Sequence, residues 1–225
     1  MFSYYGSKSK IVHLYPEPKC DRIIEPFAGS ARYSLKYWEK DVLLVDLSEH
    51  VFEVWNYLIE ASEKDVRALP DVPSKVHLDN YKLLSTAERY LIGFHLCRGK
   101  AKPRKVGHGQ NSWNRDRERI ATNLYKIKHW KIVRASYYEI ANSEATYFID
   151  PPYKMSQERP GNGDRYPFGS LDYDNLAEWI RGRRGQVIAC EGDRAKYLPF
   201  KLLATTNANT NNSTVKKNRE LIYTA

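Results

Sequence analysis

The stretch Ala145-Thr146-Tyr147-Phe148-Ile149-Asp150-Pro151-Pro152-Tyr153 decides how this chain folds. Its apolar, β-branched and aromatic run predicts a buried strand, and two prolines end that strand at once because proline brings no amide to a ladder. The Asp150 carboxylate is thereby left at the strand's C-terminal end, backed by a rigid turn and flanked by the Tyr153 ring. Pro151 and Pro152 have no N–H, so the turn offers carbonyl acceptors and few donors. An acceptor pocket beside a stacking ring suits a flat substrate with an amino group, such as a nucleobase. Asp-Pro turns also end strands that do no chemistry, so the neighbouring motifs must decide.

Upstream, Asp41-Val42-Leu43-Leu44-Val45-Asp46 predicts a second strand, and Arg22 to Pro26 a third. Helices are expected between them at Ser30 to Glu39, and then from Ser48, a predicted N-cap, to Ala61. Val51, Val54, Trp55 and Leu58 share one face of that helix. Further helices are expected at Ser9–Leu14, Asp65–Leu69, Asn80–Cys97, Asp116–Lys128 and Asp172–Arg183. Lys131–Val133 and Gln186–Cys190 read as strands, and Leu202–Thr206 with Glu220–Thr224 as an antiparallel hairpin. Arg98 to Arg115 is Gly-rich, basic and aperiodic, hence a loop, and Asn207 to Lys217 is a polar loop. Strands alternating with helices predict an α/β fold: a doubly wound, mostly parallel sheet with a terminal antiparallel hairpin. Residues 1–61 and 130–225 form the expected α/β core, with 62–129 a helical insertion.

The 225 residues are 42% apolar, enough for a core, and no run reaches membrane-span length. The start, Met1-Phe2-Ser3-Tyr4-Tyr5, lacks the apolar run of a signal peptide. Cys20, Cys97 and Cys190 make no metal-ligand spacing, which fits free thiols in a reducing cytoplasm. A net charge of +9 fits a polyanionic partner without choosing among nucleic acid, ribosome and anionic membrane.

A second constellation lies where the strand at Arg22 turns into a helix: Glu25-Pro26-Phe27-Ala28-Gly29-Ser30-Ala31. Small residues there let the backbone approach a ligand closely. The turn has one glycine and is no dinucleotide fingerprint, which disfavours a Rossmann-type oxidoreductase. Asp46 follows about 20 residues on, where an acid can hold ribose hydroxyls. Glu25, Gly29, Asp46 and Asp150 all fall at carboxyl ends of strands, where such sheets bind ligands.

These residues resemble the Dam-like DNA adenine methyltransferases. Tyr4-Tyr5-Gly6-Ser7-Lys8 is similar to the family's N-terminal aromatic-Gly-Lys element, and Glu25-Pro26-Phe27-Ala28-Gly29 to its cofactor turn. Asp46 and Asp150-Pro151-Pro152-Tyr153 follow in the family's order. Trp130 to Tyr137 and Arg219-Glu220-Leu221-Ile222-Tyr223-Thr224 look like its strand before the catalytic one and its last strand. Ala31 departs from the family, which often has Gly there.

The resemblance implies S-adenosylmethionine as cofactor, bound at Tyr5, Gly6, Lys8, Glu25, Pro26, Phe27, Ala28, Gly29, Ser30, Asp46 and Asp150. Phe27 and Gly29 would pack on it, Asp46 would take its ribose, and Tyr5, Gly6 and Lys8 its methionine end. It implies Asp150, Pro151, Pro152 and Tyr153 as the catalytic motif and double-stranded DNA as partner, with no metal or membrane. The adenine would be flipped, because an exocyclic amine cannot reach a pocket from within a stacked pair. Tyr153 would stack on it, with Tyr166 and Phe168 flanking, while Asp150 and the Pro151 carbonyl accept its amine hydrogens. The basic loop supplies the expected DNA contacts: Arg98, Lys100, Lys102, Arg104, Lys105 and Asn111, then Trp113 and Arg115. The same acceptor pocket admits the N4 amine of cytosine or an RNA adenine. A non-catalytic nucleic-acid-binding relative is the reading from another class.

Overall fold

A computed structural model describes residues 1–96, 100–107, 113–154, 171–193, 195–207 and 217–225. Its strands are β1 (Arg22–Glu25), β2 (Asp41–Val45), β3 (Lys131–Val133), β4 (Ala145–Ile149), β5 (Gly185–Gly192), β6 (Lys201–Asn207) and β7 (Lys217–Thr224). They form one seven-stranded sheet in the order β3-β2-β1-β4-β5-β7-β6. The first five positions pair in parallel, and β7 runs antiparallel to both β5 and β6. This is the expected Rossmann-like, doubly wound sheet with its terminal hairpin.

Alternation along the strands splits the core between the two faces of the sheet, as the period of two in a strand requires. Ile23, Phe148, Ile188 and Cys190 face one cluster, while Ile24, Tyr147, Ile149, Val187 and Ala189 face the other. The first face is covered by α2 (Glu49–Glu60) with Val51, Val54, Trp55 and Leu58, and by α3 (Glu63–Ala68), α4 (Thr86–Leu96) and α5 (Trp113–Ala121). The second face is covered by α6 (Tyr173–Arg181), through Leu176, Ala177, Trp179 and Ile180. Buried residues of 62–129 and of the sheet share one cluster, so that region packs directly on the sheet.

Several helices are shorter than their periodicity predicts. Only Val12–Leu14 turns in the first predicted helix, as a single 3-10 turn. The helix after β1 shrinks to α1 (Arg32–Lys36), because Ala31 before it takes a left-handed conformation at φ 44°. Glycine enters that conformation freely and alanine does not. Ser48 does stand at the N-cap of α2, but its side chain caps nothing; Asp46 accepts the Ser48 amide at 2.8 Å instead. The helix expected over 80–97 begins only at Thr86. The one expected to begin at Asp116 starts at Trp113 and gives way after Ala121 to a 3-10 turn over Leu124–Ile127. Among the described residues no helix is long and apolar enough to cross a membrane.

Candidate active site

The sheet order reverses between β1 and β4, and this is where doubly wound sheets open a crevice beyond the strands' carboxyl ends. The pairs Ile23↔Thr146 and Ile24↔Tyr147 set β1 and β4 side by side in parallel. The Glu25–Gly29 turn and Asp150 therefore leave the sheet at one edge on adjacent strands. Asp46 joins them from β2, which pairs β1 on the other side.

Asp46 is half-buried and holds the turn through both oxygens. Oδ2 accepts the Gly29 amide at 3.0 Å, and Oδ1 accepts that of Ser48 at 2.8 Å. Burial raises its pKa to about 6, against the pull of those two amides. Gly29 lies at φ 44°, and a Cβ there would meet the Tyr4 ring at 3.0 Å, so this position needs glycine on both counts. Phe27 keeps a half-exposed ring, 5.6 Å from that of Tyr137. The turn's Ala28 and Gly29 amides are already engaged, on Val45 O and Asp46 Oδ2, so a carboxylate with lone pairs to spare and a half-exposed aromatic ring are what it offers a nucleoside's hydroxyls and base. These residues fit the expected cofactor.

Glu25 has a different task from the predicted one. It is 2% exposed, and its Oε1 accepts the Ser34 amide at 2.8 Å, at the third position of α1. Ala31 has no side-chain acceptor to cap that helix, and Glu25 supplies it from the strand below. Burial lifts the Glu25 pKa to about 8, so the carboxyl is largely neutral at pH 7. Pro26, Ala28 and Ser30 are buried too, which leaves Phe27 and Gly29 as the partly exposed residues of the turn.

The Tyr4–Ser7 turn carries Lys8 into the cleft. Ser7 N donates to Tyr4 O at 3.3 Å and Gly6 takes φ 76°, the positive angle a type II turn demands. Tyr5 is half-buried and Gly6 exposed on this turn. The resemblance assigns Lys8 to the cofactor's methionine carboxylate, but here the ammonium grips Asp150, at 2.6 Å to Oδ1 and 2.7 Å to Oδ2. It also donates to Gly6 O at 3.1 Å. Lys8 is buried, which works against its charge, yet the Asp150 and Glu220 carboxylates outweigh this and hold its pKa above the ordinary value. A buried cation takes the nearest strong anion, and Asp150 is that anion.

Tyr153 points inward. Its hydroxyl donates to Glu220 Oε1 at 2.5 Å, the Lys8 ammonium lies 4.8 Å from its ring centroid, and the ring edge rests on Gly192. The turn itself is pinned by residues that sequence reasoning passed over. Tyr173 donates to Pro152 O at 2.6 Å, and Glu191 accepts the Lys154 amide at 3.4 Å and the Tyr197 hydroxyl at 2.9 Å. Among the described residues no hydrogen bond reaches the Pro151 carbonyl. Glu220 is the main omission. An acid at the head of an otherwise apolar strand, Glu220-Leu221-Ile222-Tyr223, was the available signal.

The predicted DNA-contacting residues divide. Lys100, Lys102, Arg104, Lys105 and Arg115 are exposed. Their backbone is no free loop, since Arg104 N donates to Gly93 O at 3.1 Å and Leu78 N to Lys105 O at 2.8 Å. Trp113, expected among the DNA contacts, is instead a core residue: it is 0% exposed and donates to Pro70 O at 2.9 Å. Arg117 pairs with Asp71 at 2.8 Å and Arg119 with Asp116 at 3.2 Å, which makes both supports of the helical region. Arg98, Asn111, Tyr166 and Phe168 lie outside the described residues, as does Cys97.

Residues 4–92 match the family model of D12 class N6 adenine-specific DNA methyltransferases. The match contains the Tyr4–Lys8 turn, the Glu25–Gly29 turn and Asp46, and ends before the Asp150 motif. It accords with the resemblance to Dam-like enzymes, and it supports a methyltransferase. No curated protein matches the chain. Among solved structures, a candidate methyltransferase of Escherichia coli aligns over 89% of this chain and 73% of its own, at 9% identity and TM-score 0.38. A candidate methylase of Haemophilus influenzae aligns over 89% of this chain and 78% of its own, at 10% identity and TM-score 0.35.

Proposed function

We propose that this protein is a site-specific DNA methyltransferase that moves a methyl group from S-adenosylmethionine to the N6 amine of a flipped adenine. The observation that carries this reading is the shared sheet edge of Asp150 and the Gly29–Asp46 turn, at the ends of adjacent parallel strands, in a chain whose residues 4–92 match an adenine-methyltransferase family. The cofactor, when bound, supplies an electrophilic methyl on sulfur. Asp46 and the Phe27–Gly29 backbone would hold its nucleoside end.

This chain's own residues then need only to present the amine. Asp150 and the Pro151 carbonyl accept its two hydrogens, which turns the nitrogen lone pair away from the ring and toward the methyl. Transfer would be a direct displacement, the nitrogen–carbon bond forming as the sulfur–carbon bond breaks and the surplus amine proton leaving to water, so positioning and electrostatics would supply the rate. The exposed Lys100, Lys102, Arg104 and Lys105 would meet the DNA backbone.

Incubation with labelled cofactor and random duplex DNA, followed by nucleoside mass spectrometry, tests the reading. N6-methyladenine is expected from wild type and none from Asp150→Ala, with cofactor binding retained in that variant. N4-methylcytosine, methylation of RNA only, or wild-type turnover by Asp150→Ala would refute it.

A further inference from the structure

One carboxylate outside the expected site residues ties the N-terminal segment to the Asp150–Tyr153 motif. Strand β7 runs against β5, with Gly192 opposite Glu220, so the incoming part of β7 lies at the edge where the parallel strands finish. Glu220 is 9% exposed there. Its Oε1 accepts two tyrosine hydroxyls at once, Tyr15 at 2.7 Å and Tyr153 at 2.5 Å, and stands 4.0 Å from the Lys8 ammonium. Lys8 in turn holds Asp150. One carboxylate thus reaches both ends of the Asp150–Tyr153 motif, the ring directly and the acid through Lys8.

We propose that Glu220 is a positioning residue for methyl transfer: it anchors Tyr153 by the hydroxyl and Lys8 by charge, and so fixes the ring and the acceptor between which the target base must sit. This rests on the methyltransferase reading given above. A ring fixed only by packing can rock about its bonds, whereas one tied at its far end and seated on Gly192 has a single pose. Tyr15 serves as the second tie. It stacks edge-on against Phe148 of β4 at 5.0 Å, so the anchor is referred back to the strand that carries Asp150. Displacing a reacting group by about 1 Å can cost roughly 100-fold in rate, so loss of the anchor should be read mainly in kcat.

The test is steady-state kinetics of Glu220→Ala, Glu220→Gln and Tyr153→Phe on whichever nucleobase the wild type modifies. A duplex with 2-aminopurine at the target position reports base capture by fluorescence. Glu220→Ala and Tyr153→Phe should each lower kcat by about 10- to 100-fold, with cofactor affinity within about threefold of wild type. The double variant should be no worse than the poorer single one, because both remove the same tie. Glu220→Gln keeps an acceptor oxygen and should recover most of the rate. Tyr153→Phe removes one oxygen only, and it keeps the test open if Glu220→Ala folds poorly. Wild-type kcat in Tyr153→Phe, or additive losses in the double variant, would overturn the proposal even if adenine methylation stands. Modification of cytosine in place of adenine overturns the substrate assignment and leaves the Glu220 comparison decisive. A wild type that modifies no base overturns both.

Discussion

Lys8 and Asp150 are 142 positions apart in the chain, and their side chains meet at 2.6 Å in the fold. The contact ties the N-terminal turn to the end of β4 and neutralises two charges that neither could keep alone out of water. Lys8→Met should therefore destabilise the protein by about 2–4 kcal/mol, less than the largest buried pairs because Asp150 retains some solvent contact. Urea denaturation checks this. The double variant Lys8→Met/Asp150→Asn should lose less than Lys8→Met, since no carboxylate is then left unpaired. A greater loss in the double variant would mean that the pair is not coupled as described.

Glu25 makes stability depend on pH in an unusual direction. Its pKa rises from 4.5 in the unfolded chain to about 8 in the fold. Below pH 4.5 both states are protonated and the shift costs nothing. Between these values the unfolded state ionises first, so stability falls with rising pH by about 1.4 kcal/mol per unit. Asp46, raised to about 6, and Glu191, raised to about 7, act in the same sense over narrower windows. Thermal melts should show a lower Tm at pH 8 than at pH 5. Glu25→Gln keeps the acceptor for Ser34 and should flatten this slope, raising the Tm most at alkaline pH.

Gly192→Ala places a methyl group 2.8 Å from Tyr153 Cδ2, well inside contact distance. The ring has to shift, while the strand has no reason to unpair. Methylation should fall by tenfold or more, with a change in Tm of a few degrees at most. Unaltered turnover would show that the ring's pose is unimportant.

Replacing Lys100, Lys102, Arg104 and Lys105 together by Ala should weaken DNA binding and flatten its salt dependence. Each lost phosphate contact removes about 0.9 from the slope of log K against log salt. An unchanged slope, measured by fluorescence anisotropy across a salt series, would reject this surface. Trp113→Ala should act differently. It empties a fully buried site and should cost about 3–5 kcal/mol of stability, leaving the salt slope of the folded fraction alone.

The sheet was legible because its signals are local and redundant. Asp41–Val45 and Ala145–Ile149 are short apolar runs bounded by acids or prolines, and each occupies its expected place. Asp46 and Asp150 stand at strand ends, where the sequence puts them, for the same reason, since a strand end fixes where a carboxylate goes. Helix lengths were less legible, because apolar spacing says nothing about a left-handed residue such as Ala31 or about a turn that unwinds after Ala121. Trp113 misled through its neighbours, since a ring amid basic residues reads as exposed when only packing can say otherwise. The Lys8–Asp150 and Glu220–Tyr153 contacts were invisible for a deeper reason: each joins segments brought together only by strand order.

The alternation along β4 has an evolutionary corollary. Phe148 fills one core while Tyr147 and Ile149 fill the other, so a slip of one residue would exchange all three. The same slip would swing Asp150 to the wrong side of the sheet. Selection that keeps the interior well packed thereby also protects the direction of the acid.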